Sequence, residues 1–89
     1  MNDENIQFDF RKVRGKIKEV FQTQSTFAYK LQMNEATLSN KLNNNVEFTS
    51  KEIIKACDLL GITSDKISEY FFTLLVQKTE WSDFIQILK

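Results

Sequence analysis

The sequence predicts an all-α domain built from five short helices. Its 89 residues contain no proline and only two glycines, so few positions interrupt a helix. Apolar residues recur at helical spacing, and no run of alternating β-branched residues indicates a strand. The chain is long enough for one hydrophobic core, near the lower limit for a self-sufficient one. We expect one compact domain over residues 8–72, between a flexible arm at 1–7 and a C-terminal extension at 73–89.

The first predicted helix covers about residues 10–21. Asp9 is its expected N-cap, and Phe8 and Val13 have the spacing of a hydrophobic staple. Its inward stripe is expected to consist of Phe10, Val13, Ile17, Val20 and Phe21. The basic side chains of this segment then lie on the opposite, outer face.

Residues 23–42 predict two short helices joined by a tight turn. Helix 2 covers about 24–31 behind the N-cap Thr23, and the small Ala28 permits a close crossing with the next helix. Helix 3 covers about 35–42 behind the N-cap Asn34, with Leu38 and Leu42 inward. Its outward side chains are mostly short hydrogen-bonding groups: Glu35, Ala36, Thr37, Asn40 and Lys41. This pattern is typical of a helix-turn-helix whose second helix reads DNA.

Helix 4 has a complete start signal after an asparagine-rich loop at 43–47. Thr49 is the N-cap, Glu52 is its capping-box partner and Gly61 ends the helix in a left-handed conformation. The expected core face is Ile53, Ile54, Cys57, Leu59 and Leu60. Thr63 then caps helix 5, which is expected to bury Ile67, Tyr70 and Phe71.

The C-terminal extension allows two readings. TLLVQ at 73–77 fits a short strand or a continuation of the last helix. The apolar residues Trp81, Phe84, Ile85 and Leu88 fit one amphipathic turn that packs on the chain's own core or against another molecule. Packing on the chain's own core is the preferred reading.

Composition excludes several classes of protein. Cys57 is the only cysteine and lies on an apolar helical face, so we expect a buried side chain, no internal disulfide and a reducing cytoplasm. No transmembrane stretch or signal peptide is evident, which predicts a soluble intracellular protein. The chain has no histidine, cysteine cluster or glycine-rich phosphate loop. We therefore expect no enzyme activity, no metal and no cofactor.

The zero net charge is unevenly distributed along the chain. Residues 1–9 carry −3, residues 10–45 carry seven bases against two acids, giving +5, and residues 46–89 carry −2. The basic part contains helices 1 to 3, as expected if these helices approach phosphates. A solvated basic helix face without any role in nucleic-acid binding is the alternative.

Three segments carry a resemblance to a known family. They are Thr23 and Gln24 followed by Ala28 and Leu31, the TLS step at 37–39, and ACDLLGI at 56–62. With the basic first helix, the asparagine-rich loop and DKISEYFF, they resemble the Cro and repressor type of helix-turn-helix domain. The chain looks most similar to small Cro-like regulators of temperate phages and prophages in low-GC Gram-positive bacteria, over about residues 8–78.

The resemblance implies a DNA interface. The base-reading residues it assigns are Asn34, Glu35, Ala36 and Asn40. The phosphate contacts it assigns are Gln24, Thr37, Lys41, Asn43, Arg11 and Arg14. Two positions depart from the family pattern: Gln32 replaces the usual turn glycine, and Lys41 stands where many members have an inward hydrophobe. The second departure predicts that helix 3 is rolled about its axis.

Two functions of different classes follow. The first is a sequence-specific regulator of a lysis-lysogeny switch in the bacterial cytoplasm, a homodimer on a two-fold double-stranded DNA operator that acts as a Cro-like repressor. The second is an antirepressor or modulator that uses the same fold to bind a partner repressor protein. An antitoxin with a comparable domain is a third, weaker reading.

Overall fold

The computed structural model describes residues 6–75. Within this range the chain forms five α-helices and a single 3-10 turn, Ser64–Lys66, directly before the last helix. The helices are α1 (Arg11–Phe21), α2 (Gln24–Leu31), α3 (Glu35–Leu42), α4 (Ser50–Leu60) and α5 (Ile67–Phe71). The predicted all-α class is confirmed. The expectations for Trp81 and the other apolar residues of the tail lie outside the described residues.

Most helices begin and end at the residues that the sequence indicates. The side chains of Thr23 and Asn34 accept backbone hydrogen bonds at the starts of α2 and α3. Thr49 and Glu52 form the complete capping box of α4, and Gly61 ends that helix with φ at 71°. The prediction for α1 was wrong by one position. Phe10 is the capping residue there, although the Asp9 carboxylate still accepts the Arg11 N–H at 3.0 Å.

The core is a single cluster of buried side chains from all five helices. The buried members are Phe10, Val13, Ile17, Phe27, Ala28, Leu31, Leu38, Leu42, Ile53, Ala56, Cys57, Leu60, Ile62 and Phe71. Two predicted core residues are wrong, because Val20 is exposed and Ile54 is 64% exposed. On α4 the buried stripe runs through residues 53, 56, 57 and 60, and Ile54 stands about 100° away from Ile53. Cys57 is buried as predicted.

The turn between α2 and α3 has a left-handed residue that is not a glycine. Gln32 adopts the left-handed conformation, with φ at 59° and ψ at 44°. Its side-chain Oε1 accepts a hydrogen bond from Lys55 Nζ at 2.8 Å. A side chain in this conformation costs about 1 kcal/mol, which the surrounding helix packing offsets.

The two ends of the described chain lie side by side. Phe8 and Leu74 form an isolated antiparallel bridge, flanked by hydrogen bonds from the Asp9 N–H to the Thr73 carbonyl and from the Leu75 N–H to the Gln7 carbonyl. Residues 73–75 are therefore extended, as one of the two readings of TLLVQ expects. None of the helices in residues 6–75 is long and apolar enough to cross a bilayer.

Candidate functional site

The helix-turn-helix surface is defined by the exposed side chains of α2 and α3 and of the residues that flank α3. From α3 and its ends it presents Asn34, Glu35, Ala36, Thr37, Asn40 and Asn43, none of them buried. From α2 it presents Tyr29 and Lys30, and the Tyr29 side chain is 79% exposed. All four predicted base-reading residues are thus on the outside of the molecule.

Lys41 is the exception among the predicted outward residues. It is only 6% exposed and faces inward together with Leu38 and Leu42. Its Nζ donates to Glu52 Oε1 at 2.8 Å and to the Glu47 carbonyl at 3.0 Å. The assignment of Lys41 as a phosphate contact is therefore wrong, because a buried ammonium in this ion pair cannot reach DNA.

The position of Lys41 also shows which line of α3 faces the core. Residues 38, 41 and 42 all face the core, so Lys41 occupies the place of the usual family hydrophobe while Leu42 is buried beside it. The inward line of α3 therefore contains Lys41 as well as Leu38 and Leu42. Glu35, Ala36 and Asn40 keep their outward directions.

The Lys41 and Glu52 pair also affects the start of α4. Burial raises the pKa of Glu52, but the hydrogen bonds from Lys41 and from the Thr49 backbone N–H outweigh this effect, so the pKa lies below its ordinary value. One carboxylate oxygen accepts both bonds, at 2.8 Å each. Glu52 thus neutralises the buried lysine and caps α4 at the same time.

Gln24 connects the two helices of the motif. Its side-chain Nε2 donates to Ser39 Oγ at 2.6 Å across the α2–α3 contact. This bond orients Gln24 at the first turn of α2, where the resemblance places a phosphate contact. Sequence reasoning did not assign a role to Ser39, since only the tertiary contact brings residues 24 and 39 together.

Arg14 and Asn43 bind each other in the structure. Arg14 Nη2 donates to Asn43 Oδ1 at 2.7 Å and to the Leu42 carbonyl at 3.2 Å. A cation at the end of a helix satisfies its last carbonyls and stabilises the negative end of its dipole. Both residues were predicted as phosphate contacts, and here they close the C-terminus of α3 against α1.

The amides of α3 differ in how much bonding capacity they retain. Asn34 Oδ1 accepts the Ala36 N–H at 2.8 Å, so its oxygen is occupied by capping. Asn40 Oδ1 has only a long contact, 3.4 Å, with Asn45 Nδ2. Asn40 is consequently the asparagine of α3 best placed to offer both an amide donor and an acceptor to another molecule.

Ion pairs offset part of the positive charge counted in residues 10–45. Four of the seven bases in residues 10–45 pair with carboxylates at 2.7 to 2.9 Å. The pairs are Arg11 with Asp9, Lys12 with Glu69, Lys16 with Glu19, and Lys41 with Glu52. Three of these acids come from outside the basic segment, so folding brings negative charge onto the helices that appeared basic in the sequence.

The pairs also change the ionisation of their members. Hydrogen bonds from Arg11 lower the pKa of Asp9, and the hydrogen bond from Lys12 lowers the pKa of Glu69. The hydrogen bond to Glu19 raises the pKa of Lys16. All of these shifts favour the charged forms, so the pairs persist at neutral pH.

Glu35 places a negative charge at the N-terminus of α3. It lies in the first turn of the helix, where backbone N–H groups and the helix dipole otherwise attract anions. A carboxylate there opposes an approaching phosphate. It favours instead a partner that brings a hydrogen-bond donor or a cation.

Tyr29 is the surface residue that sequence reasoning missed. It is the most exposed of the large hydrophobic and aromatic side chains among the described residues. A tyrosine in this position can bury a large area when a partner binds. The signal in the sequence was its position next to Ala28, away from the inward stripe of Phe27, Ala28 and Leu31. Tyrosines of this kind are enriched in protein interfaces.

Comparisons with known proteins place the chain among small phage proteins. The family described as "Protein of unknown function (DUF739)" matches residues 6–74. The solution structure of the modulator of repression (MOR) of the temperate bacteriophage TP901-1 from Lactococcus lactis is similar, with a TM-score of 0.66 and 38% sequence identity. The similarity covers 73% of this chain and 88% of that protein. No curated protein sequence matches the chain significantly.

Proposed function

The chain belongs to the DUF739 family, and on this premise we propose that it is a phage regulator that modulates repression by binding a repressor protein through the helix-turn-helix surface. The similar solution structure supports this proposal, because that protein is a modulator of repression of a temperate phage. Its 38% identity extends over most of both chains. The proposal thereby assigns the chain to phage regulation, with a repressor as its partner.

The pairing of basic side chains with carboxylates is the observation that favours a protein partner over DNA. Nonspecific and specific DNA binding both depend on cations that displace counterions from phosphates. Here four of the seven bases of residues 10–45 pair with carboxylates, and Glu35 adds a negative charge to α3. The helix-turn-helix surface presents Tyr29, uncharged amides, Lys30 and Glu35, and a surface with one cation and one carboxylate resembles a protein interface more than a phosphate-binding face.

Operator DNA is the second candidate, and one observation favours it. The helix-turn-helix geometry is intact, with Ala36 and Asn40 outward on α3 and Gln24 at the start of α2. An exposed asparagine on such a helix can pair with adenine in the major groove. In this case the chain would act as a Cro-like repressor, with a homodimer spanning two half-sites.

A binding titration separates the two candidates. The purified chain is titrated by calorimetry with the phage repressor encoded beside its gene, and separately with promoter DNA from the same region at several salt concentrations. We expect a stoichiometric complex with the repressor and no binding to the DNA. A DNA complex that weakens steeply with salt, together with no repressor complex, would establish the second candidate instead.

Variants locate the surface. Tyr29→Ala is expected to weaken the repressor complex by about tenfold or more, since a central aromatic contact contributes about 1.4 kcal/mol or more. Ile54→Ala is the matched control, because Ile54 is also a large exposed side chain but lies on α4. Equal losses in the two variants would contradict the assignment of the surface.

A further inference from the structure

An apolar groove lies beside the paired ends of the described chain. It has a volume of about 670 Å³, within the range of pockets that enclose a small ligand, about 300 to 1,000 Å³. Its apolar walls include Ile6, Phe8, Val46, Phe48 and Phe72. Ile6, Val46 and Phe72 are exposed, with Val46 at 50%, so an apolar surface here faces solvent in the described part of the chain.

Packed aromatic rings make the groove rigid. Phe48 meets Phe10 and Phe71 edge to face, with ring centroids 5.4 and 5.5 Å apart. Phe8 meets Phe72 in the same manner at 5.7 Å. Because these rings support one another, the groove is a preformed feature of the fold.

Two polar side chains in the groove walls, those of Asn44 and Lys41, already have partners. Asn44 Oδ1 accepts the Phe8 N–H at 2.8 Å, and Asn44 Nδ2 donates to the Phe8 carbonyl at 2.9 Å. Lys41 Nζ is held by Glu52 and by the Glu47 carbonyl. Because both side chains are already hydrogen-bonded to other groups of the protein, the groove fits apolar side chains better than a polar ligand or a phosphate.

The chain itself continues from the edge of this groove. Leu75 donates its backbone N–H to the Gln7 carbonyl at 2.8 Å, next to Ile6 in sequence, and Phe72 belongs to the wall. Residues 76–89 then follow. Their sequence, VQKTEWSDFIQILK, places four large apolar residues at the i, i+3, i+4 and i+7 positions of one helical face: Trp81, Phe84, Ile85 and Leu88.

We propose that residues 76–89 cover this groove, with the apolar face that contains Trp81 against Val46 and Phe72. An amphipathic segment of this length is only marginally stable as a helix in water, so its apolar side chains gain from a surface. Five residues separate Leu75 from Trp81, and an extended chain of five residues spans up to about 17 Å.

The covalent connection favours this occupant over a second copy of the chain. A short linker gives an attached segment an effective concentration of the order of millimolar, well above a working protein concentration. The family match ends at residue 74, so the segment is an addition beside a surface that belongs to the shared domain. The proposal concerns the isolated chain and is independent of whether a repressor or DNA binds the helix-turn-helix surface.

Trp81 is the only tryptophan and therefore reports on its own environment. We expect the emission of the full-length chain to be blue-shifted and protected from acrylamide relative to N-acetyltryptophanamide, with no change on wide dilution. Val46→Asp and Phe72→Asp are expected to shift the emission to the red and to increase quenching several-fold. Ile54→Asp is the matched control, because Ile54 is 64% exposed and lies outside the groove, and it is expected to leave the emission unchanged.

Three outcomes would overturn the proposal. The first is that the unmodified chain emits like N-acetyltryptophanamide, which would mean that Trp81 is in water and does not cover the groove. The second is a blue shift that disappears on dilution, which would assign the contact to a second copy. The third is a blue shift that survives both Val46→Asp and Phe72→Asp while far-UV circular dichroism shows that the variants are folded.

Discussion

The pair of Lys41 and Glu52 yields the sharpest prediction about stability. Lys41 is 6% exposed and relies on Glu52 as its counter-charge, with 2.8 Å between Nζ and Oε1. Glu52→Gln keeps the shape of the side chain and an amide oxygen for the capping box, which accepts glutamine as well as glutamate. The substitution therefore removes the negative charge and leaves a buried ammonium without compensation.

Breaking a buried ion pair by removing one partner typically costs about 3 to 5 kcal/mol. Here the Glu52 side chain is 28% exposed, and Lys41 retains its bond to the Glu47 carbonyl. Both features reduce the penalty, so we expect Glu52→Gln to lower the free energy of unfolding by about 2 to 3 kcal/mol.

Lys41→Met is the matched partner of this variant. It places an unbranched apolar side chain beside the buried Leu38 and Leu42. Glu52 then remains partly solvated and still accepts the Thr49 N–H. Since replacing a buried charge with an apolar side chain is often neutral or stabilising, we expect a change within about 1 kcal/mol of zero.

The assay is urea denaturation at neutral pH, followed by far-UV circular dichroism, on the two single variants and the double variant. In the double variant the side chain at position 41 is uncharged and needs no counter-charge, so most of the loss caused by Glu52→Gln should be recovered. The reasoning is refuted if Glu52→Gln costs less than about 0.5 kcal/mol, or if Lys41→Met costs more than Glu52→Gln.

Three further predictions concern the stability of the fold. Asn44→Ala removes both hydrogen bonds to Phe8 and puts alanine at φ 66°, a left-handed conformation that alanine rarely adopts. Urea denaturation should therefore show that the free energy of unfolding falls by about 2 to 3 kcal/mol. Asn44→Gly should lose less, because glycine adopts this conformation without strain. Gln32→Gly relieves the left-handed strain at φ 59° and should stabilise the chain by up to about 1 kcal/mol, whereas Gln32→Ala should not. Folding lowers the pKa values of four carboxyl groups: Asp9, Glu52, Asp65 and Glu69. Their contribution to the free energy of unfolding is therefore complete above about pH 5 and is lost as the pH falls through the lowered pKa values. Burial raises the pKa of the Cys57 thiol, so the free energy of unfolding should also decline as the pH rises above about 8.5, where the thiol ionises in the unfolded chain. Thermal unfolding measured across the pH range checks both the acid and the alkaline decline.

Local signals in the sequence were sufficient for α2, α3 and α4, whereas the predicted caps Asp9 and Thr63 are not the N-caps of α1 and α5. The Thr49 and Glu52 capping box, the Asn34 cap and Gly61 act within one or two turns of chain, so the residues themselves determine where α3 and α4 begin and where α4 ends. The same signals located the outward residues Glu35, Ala36 and Asn40. Local periodicity was less reliable at the edges of a stripe, where Val20 and Ile54 satisfied the apolar pattern but face solvent.

Charge could not be assigned from segments of the sequence. Counting along the chain placed +5 on residues 10–45, yet Asp9, Glu52 and Glu69 fold onto the bases of that segment. Ion pairs between residues up to 57 positions apart are invisible to any local pattern. The charge argument for a DNA-binding surface depended on that count, and the ion pairs of the folded chain weaken it.

The sequence by itself determined the bounds of α2, α3 and α4 and the outward positions of Glu35, Ala36 and Asn40, because these depend on interactions between near neighbours. Only the tertiary structure decided that Lys41 is buried against Glu52, that Gln24 binds Ser39 and that the N-terminal segment pairs with residues 73–75. Each of these contacts joins residues that are distant in the chain, and their energies depend on burial that exists only after the core has formed.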